Sequence, residues 1–156
     1  MAVRIIVSGE EEAARVIGRI AEPDRHAFLD GLGGLVVSQS QRRIRSEKAA
    51  PDGTPWKPNA EGTSILFRSG ALDDSLHHEV RGNEVEAGSN LIYAGIHQDG
   101  GSIEPITANA LAFSVGGQFV LAKKVTMPQR QYLGISPANE AEIISFAEDF
   151  IVRGLQ

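Results

Sequence analysis

Three glycine-containing dipeptides constrain how the second half of this chain folds. Gly82-Asn83, Gly100-Gly101 and Gly116-Gly117 each admit the positive φ angles that tight turns and helix ends require. The 156 residues include 17 glycines, many of them in pairs or beside polar residues. The sequence therefore predicts short elements joined by sharp turns in this half of the chain.

Two of these dipeptides predict β-hairpins, because each separates two segments rich in β-forming residues. The flanking segments are 78–81 with 84–87, and 111–115 with 118–124. In the last of these segments both faces are apolar, since Phe119 and Leu121 alternate with Val120 and Ala122. We expect this strand to be buried on both faces or to lie in a subunit contact.

The stretch from Asn90 to Glu104 predicts a short helix followed by a strand. Asn90 is a suitable N-cap. The apolar residues at helical spacing are Leu91, Ile92, Ala94 and Ile96. His97 and Gln98 lie at the end of this helix, where we expect them to fasten it by hydrogen bonds. Gly100-Gly101 then turns the chain into the strand.

Three longer segments have the apolar periodicity of amphipathic helices. After a strand over 3–7, the first helix begins at a Ser8 cap and ends at Pro23. The second extends from about Asp24 to Glu47, and the third follows a Ser136 cap. The sequence predicts one α+β domain over residues 1–156. In it, a small antiparallel or mixed β-sheet packs with two N-terminal helices and one C-terminal helix.

Three glycines interrupt the second helix. Gly31, Gly33 and Gly34 each lower helix propensity by roughly 1 kcal/mol relative to Ala. They either let another part of the chain approach closely or mark a bend.

A basic cluster, defined as Arg42, Arg43, Arg45 and Lys48, ends the same helix. Positive charge stabilises the C-terminal end of a helix, which is one interpretation of the cluster. The other interpretation is a local patch that contacts DNA or an acidic partner.

Residues 49–64 predict a long proline-rich loop. Pro51-Asp52-Gly53 is a turn signal, and Pro55 and Pro58 exclude regular structure. The loop contains Trp56, the only tryptophan. Trp56 either folds back as a plug over the core or anchors a partner, since tryptophan is enriched among interface hot spots.

Composition and motifs match no enzyme class. The chain has no cysteine, which excludes disulfides, thiolate metal sites and a cysteine nucleophile. Its four histidines lack a spacing such as HExxH, and neither a GxSxG elbow nor a phosphate-binding glycine loop occurs. The formal net charge of −5 argues against nucleic-acid binding by the whole surface, and no apolar run reaches the length of a membrane span. We expect no enzyme activity, cofactor or metal.

Several segments, taken in order, resemble one protein family. They are PDGTPWKP (51–58), ILFRSGALDDSL (65–76), HHEVRGNEVEAGSN (77–90), YAGIHQDGG (93–101) and LAFSVGGQFVLAKKVTMPQRQYLGIS (111–136), followed by an acidic closing helix. In this order they are similar to the phage virion morphogenesis proteins, also called tail completion proteins, of Mu-like and related tailed phages and prophages. The resemblance covers most of the chain after residue 25. The segment 129–134 departs from the family's pattern but keeps Arg130 and Leu133-Gly134.

This resemblance implies a structural protein without catalytic residues, acting in head–tail joining or tail completion. Its location would be the neck or tail end of the virion, after assembly in the bacterial host cytoplasm. The resemblance also implies a homo-oligomeric ring, commonly of six subunits, that contacts other neck, portal-side or tail proteins while DNA at most passes through. Such a ring needs contacts between different faces of one subunit. The candidate residues for these contacts are Trp56, His97, Gln98, Gly100, Gly101 and Arg130.

Two other functions remain as alternatives. One is a metal-dependent hydrolase that uses His97 with ligands distant in sequence. The other is a small DNA-binding accessory protein that uses the basic cluster, Arg42 to Lys48.

Overall fold

The computed structural model describes residues 2–3 and 22–154, and its class is the predicted α+β. Its α-helices are α1 (Glu22–Arg42), α2 (Ala71–Asp74), α3 (Ala94–Asp99) and α4 (Pro137–Gly154). One π-helical turn, Arg43–Glu47, directly follows α1. The predicted first helix and most of the strand over 3–7 lie outside the described residues.

The strands of the described residues form three small antiparallel sheets. They are β1 (Ala2–Val3), β2 (Leu76–Arg81), β3 (Glu84–Ser89), β4 (Gly101–Ile103), β5 (Leu111–Val115), β6 (Gln118–Ala122) and β7 (Val125–Met127). The sheet orders are β1-β3-β2, β4-β7 and β5-β6. Both predicted hairpins, β2–β3 and β5–β6, are therefore confirmed. Leu76 is the first residue of β2.

The second predicted helix is confirmed as α1 with its π-helical turn. Pro23 lies in the first turn of α1, where its missing N–H has no helical partner to lose. The predicted first helix, which precedes this residue, falls outside the described residues. The buried face of α1 includes Phe28, Leu32 and Val36. Lys48 adopts a left-handed conformation (φ 54°) and closes the π-helical turn by donating its backbone N–H to the carbonyl of Arg43 at 3.0 Å.

Two of the α1 glycines allow close packing. A methyl group on Gly31 would lie 2.6 Å from Cζ of Phe146 in α4. One on Gly33 would lie 2.6 Å from Cγ of His78 and 2.7 Å from Cγ2 of Val85, in the β2–β3 hairpin. The close-approach interpretation is therefore confirmed at these two positions.

The helix α3 begins later than predicted. It starts at Ala94, and Ser89 Oγ, rather than Asn90, accepts a hydrogen bond from the Leu91 N–H at 3.1 Å. Ile92 lies before the helix and is 101% exposed, so its predicted packing is wrong. The turn into β4 at Gly100-Gly101 is confirmed.

The C-terminal helix α4 begins as predicted. Ser136 Oγ accepts a hydrogen bond from the Asn139 N–H at 3.1 Å, and Asn139 Oδ1 accepts one from the Ser136 N–H at 3.2 Å. This reciprocal pair satisfies two backbone donors at the helix start. Phe146 and Phe150 then pack on Phe28 of α1, with ring centroids 5.7 and 5.2 Å apart.

The loop over 49–64 carries its tryptophan back into the molecule. Ala49 and Pro55 form an isolated β-bridge, and the Trp56 N–H donates to the Lys48 carbonyl at 2.9 Å. Trp56 is 6% exposed, so the plug interpretation is confirmed. It packs in a cluster with Ile44, Leu72, Leu76, Ala94, Tyr132 and Leu133.

None of the helices in residues 22–154 is long and apolar enough to cross a membrane.

Replacing Gly33 by Ala is expected to destabilise the protein by about 1–3 kcal/mol, because the methyl group overlaps two packed side chains. Gly34→Ala is the matched control, since its nearest new neighbour, Cε1 of His78, would lie 3.9 Å away. Gly34→Ala should be neutral or stabilise by up to about 1 kcal/mol through helix propensity. Denaturant unfolding measures both, and equal effects of the two variants would contradict the packing of α1 against β2–β3.

Candidate functional site

Most of the predicted site residues converge on one buried segment, Arg130–Gly134, which we call the central strap. The strap has neither helical nor strand hydrogen bonding, yet Arg130, Tyr132 and Leu133 are buried. Buried backbone outside regular structure requires other partners for its N–H and C=O groups. Side chains from distant parts of the chain supply them.

Gln98 supplies partners from α3. Its Oε1 accepts hydrogen bonds from the N–H groups of Tyr132 (3.1 Å) and Leu133 (3.0 Å), and its Nε2 donates to the Leu133 carbonyl at 3.1 Å. The Tyr132 hydroxyl returns a bond to the carbonyl of Ala94 at 3.2 Å, and burial raises the pKa of Tyr132 to about 12. The prediction that Gln98 fastens the helix end by hydrogen bonds is thus confirmed.

Arg43 holds the opposite side of the strap. Its guanidinium donates to the carbonyls of Tyr132 (2.9 Å) and Gly134 (3.2 Å), and to Oδ1 of Asn139 at 2.6 Å. The side chain is 1% exposed, and this burial lowers the pKa of Arg43 from its usual value. The π-helical turn therefore joins the strap and the first turn of α4 through one side chain.

Arg130 fastens the strap to the proline-rich loop. Its side chain donates to the carbonyls of Lys57 (3.1 Å) and Pro58 (3.2 Å). Its backbone N–H donates to the His97 carbonyl at 2.8 Å. These bonds hold the loop residues that follow Trp56, so Arg130 and Trp56 belong to the same internal arrangement.

His97 packs beside the strap through its ring. Its imidazole meets Tyr93 edge to face, with centroids 5.9 Å apart, and lines an open cavity of about 370 Å³. Burial, with a smaller contribution from the Arg130 charge, lowers the pKa of His97, so the neutral ring is favoured. Only the backbone carbonyl of His97 fastens the helix end, because its buried Nδ1 has no hydrogen-bond partner among the described residues.

Gly100, the first residue of the glycine pair, packs closely against another segment of the backbone. Gly100 has φ 71°, and a Cβ atom there would lie 2.8 Å from the backbone N of Gln129. Gly101 has φ 148°, and a Cβ atom there would contact the Ile96 side chain at 3.8 Å. Gly100 is therefore the position that lets α3 approach the residue before the strap.

The basic cluster is directed at other parts of the same chain. Arg42 donates to Glu142 on α4 at 2.8 Å, and Arg45 donates to the buried carboxylate of Asp73 at 2.6 and 2.8 Å. Lys48 donates to backbone carbonyls on either side of the proline-rich loop. Together with Arg43, these side chains form hydrogen bonds and ion pairs with residues distant in sequence. Their use inside the fold gives the DNA-binding alternative no support.

Within the described ranges, no group of three or more His, Asp or Glu side chains is placed to hold a metal ion. Among these residues, His97 is therefore not part of such a group.

Sequence reasoning missed Arg43 as the central tie. A signal for it was present, because helical spacing from Leu32 and Val36 leads through Gln39 to Arg43 on one face. The π-helical turn continues this buried face, and both Gln39 and Arg43 are buried. No local pattern indicated that Asn139 lies opposite.

Comparison with known proteins gives one family and one similar protein. A sequence model described as the phage virion morphogenesis family matches residues 10–151. A similar protein is Mu-like prophage FluMu G protein 2 from Haemophilus influenzae, 24% identical over 153 residues, with 95% of each chain covered. Comparison with solved structures found no significant match. The matched region includes the strap, together with Gln98 and Arg43, whose side chains form hydrogen bonds with it.

Replacing Arg43 by Met should destabilise the protein by about 3 kcal/mol, because two strap carbonyls lose the guanidinium donor and Asn139 Oδ1 loses one of its two donors. Arg42→Met is the control, since Arg42 is an exposed neighbour whose ion pairs contribute about 1 kcal/mol or less. Denaturant unfolding of the two variants gives the comparison. Similar losses in both would show that the strap does not depend on Arg43.

Proposed function

The chain belongs to the phage virion morphogenesis family, and on that premise we propose that it is a structural protein of the virion neck or tail end. In this proposal it completes the tail so that head and tail join. It does so as a homo-oligomeric ring around the DNA channel, in contact with other neck, portal-side or tail proteins. Assembly takes place in the bacterial host cytoplasm.

The observation that supports a structural role most strongly is the use of polar side chains inside the fold. The groups that resemble a reactive site, Gln98, Arg130 and Arg43, donate to or accept from backbone groups of the same chain. Hydrogen bonds of this kind fix a shape and leave few polar groups for a substrate. The similarity to a Mu-like prophage protein over 95% of both chains supports a phage role for the whole domain.

The surface supports assembly with other subunits. Large apolar side chains are exposed at several places along the described residues, among them Ile106, Phe119 and Ile144. In this proposal, burial between subunits covers this exposed apolar surface. Among the predicted contact residues, Trp56, Gln98 and Arg130 are buried in the single chain, so in this proposal they shape the contact surface from beneath.

Deleting this gene from an inducible prophage is expected to give heads and tails that do not join, visible by electron microscopy. Plasmid-borne wild-type chain is the control and should restore joined particles. The tagged chain should then be found at one end of the tail. In solution at micromolar concentration, native mass spectrometry should show a closed oligomer. A strict monomer that is also absent from purified particles would contradict the proposal.

A further inference from the structure

The β5–β6 hairpin exposes an apolar face. Phe119 is 71% exposed and Leu121 is 64% exposed. Their cross-strand partners are Ser114 and Ala112, two small residues that also face solvent. The other hairpin face is half-buried, so the expectation that β6 is buried on both faces is wrong for the single chain.

This hairpin needs further contacts. Two-stranded hairpins are at best marginally stable in water, and β5 and β6 pair mainly with each other. Two large apolar side chains opposite small ones form a ridge that a second surface can cover. The other alternative expected from the sequence, that β6 lies in a subunit contact, therefore agrees with this exposed face.

A second exposed apolar stripe lies on α4. Ile144 is 51% exposed, and Ile151 and Val152 are also exposed, whereas Phe146 and Phe150 face α1. Ile144 and Ile151 are seven residues apart, so they lie on one face of α4, and this face is separate from the one that carries the phenylalanines. A helix with apolar residues on a second face as well is typical of burial on more than one side.

The two surfaces carry opposite charge. Glu140 and Glu148 lie four residues before and after Ile144, on the same row of α4, and both are exposed. Lys123 and Lys124 follow β6 directly, and Lys123 lies two residues after Leu121. Within residues 22–154, neither Glu148 nor Lys123 has an ion-pair partner, while Lys124 pairs with Glu104 at 3.1 Å.

We propose that the exposed face of the β5–β6 hairpin in one copy docks on the outer stripe of α4 in a second copy of this chain. The inference rests on the proposed ring and specifies its subunit contact. Phe119 and Leu121 cover Ile144 and Ile151, and the lysines after β6 lie near the α4 glutamates. A contact between two different faces repeats from subunit to subunit and forms a ring when the rotation between subunits closes.

Charge favours this pairing over a symmetric one. In a symmetric contact between two α4 stripes, Glu140 and Glu148 of one copy would lie near the same glutamates of the other copy. In a symmetric contact between two hairpins, Lys123 would lie near Lys123 of the other copy. Like charges across an interface oppose association, whereas the hairpin-to-helix contact brings opposite charges together.

Two paired variants and their mixture test the contact. The hairpin variant is Phe119→Ser with Leu121→Ser, and the helix variant is Ile144→Ser with Ile151→Ser. Each variant alone should self-associate with a Kd about 100-fold higher than that of the wild type. Each of the two apolar anchors removed accounts for about tenfold of this loss. A 1:1 mixture should form a heterodimer and nothing larger, because one intact hairpin and one intact helix stripe remain. Ile92→Ser, at a fully exposed isoleucine outside both faces, is the control and should assemble like wild type.

The outcomes distinguish a failure of the proposed contact from a failure of the proposed ring. Wild-type oligomers that both variants leave intact, or a control that dissociates equally, would overturn the assigned faces and leave the proposed ring standing. A helix variant that still dimerises on its own would indicate a symmetric hairpin contact and also overturn the inference. A wild-type chain that is strictly monomeric would overturn the ring and the contact together.

Engineered thiols provide a second test of the contact if a serine variant does not fold. The chain has no cysteine, so Phe119→Cys and Ile144→Cys each introduce its only thiol. Mild oxidation of the mixed variants should give a cross-linked dimer, and neither variant alone should do so at comparable yield. Absence of a cross-link in the mixture of an oligomeric protein would overturn the proposed contact.

Discussion

A guanidinium group buried at the end of α1 holds three parts of the chain together. Arg43 donates to two strap carbonyls and to Asn139, so the π-helical turn, the strap and the start of α4 have fixed positions relative to one another. Burying a cation is costly unless its donors are paired, and carbonyl and amide oxygens supply that pairing here. The strap in turn depends on Gln98 from the opposite side.

This arrangement changes how the polar residues relate to function. A histidine, two arginines and a glutamine near a glycine pair suggest chemistry, but their hydrogen bonds end within the fold. The apolar side chains that remain exposed include a ridge on β5–β6 and a stripe on α4. A rigid interior with unburied apolar faces suits a protein that acts by assembly, in agreement with its membership of a virion morphogenesis family.

Local patterns predicted much of the fold. The dipeptides Gly82-Asn83 and Gly116-Gly117 determine their hairpins within a few residues, and Ser136 determines the start of α4. The family resemblance was likewise carried by short ordered motifs, and the family match confirms it. Local patterns do not indicate contacts between residues distant in sequence. Ile92 fits a helical pattern but has nothing to pack on, and Arg43 is paired by residues about 90 positions later.

Native-state hydrogen exchange at the strap tests the central claim most directly, namely that these polar residues are internal ties of the fold. The amides of Tyr132 and Leu133 donate to Gln98, although they belong to neither a helix nor a strand. The account predicts that both exchange only through global unfolding, as slowly as amides of the β2–β3 hairpin. Exchange as fast as that of the exposed residues 106–109 would contradict it.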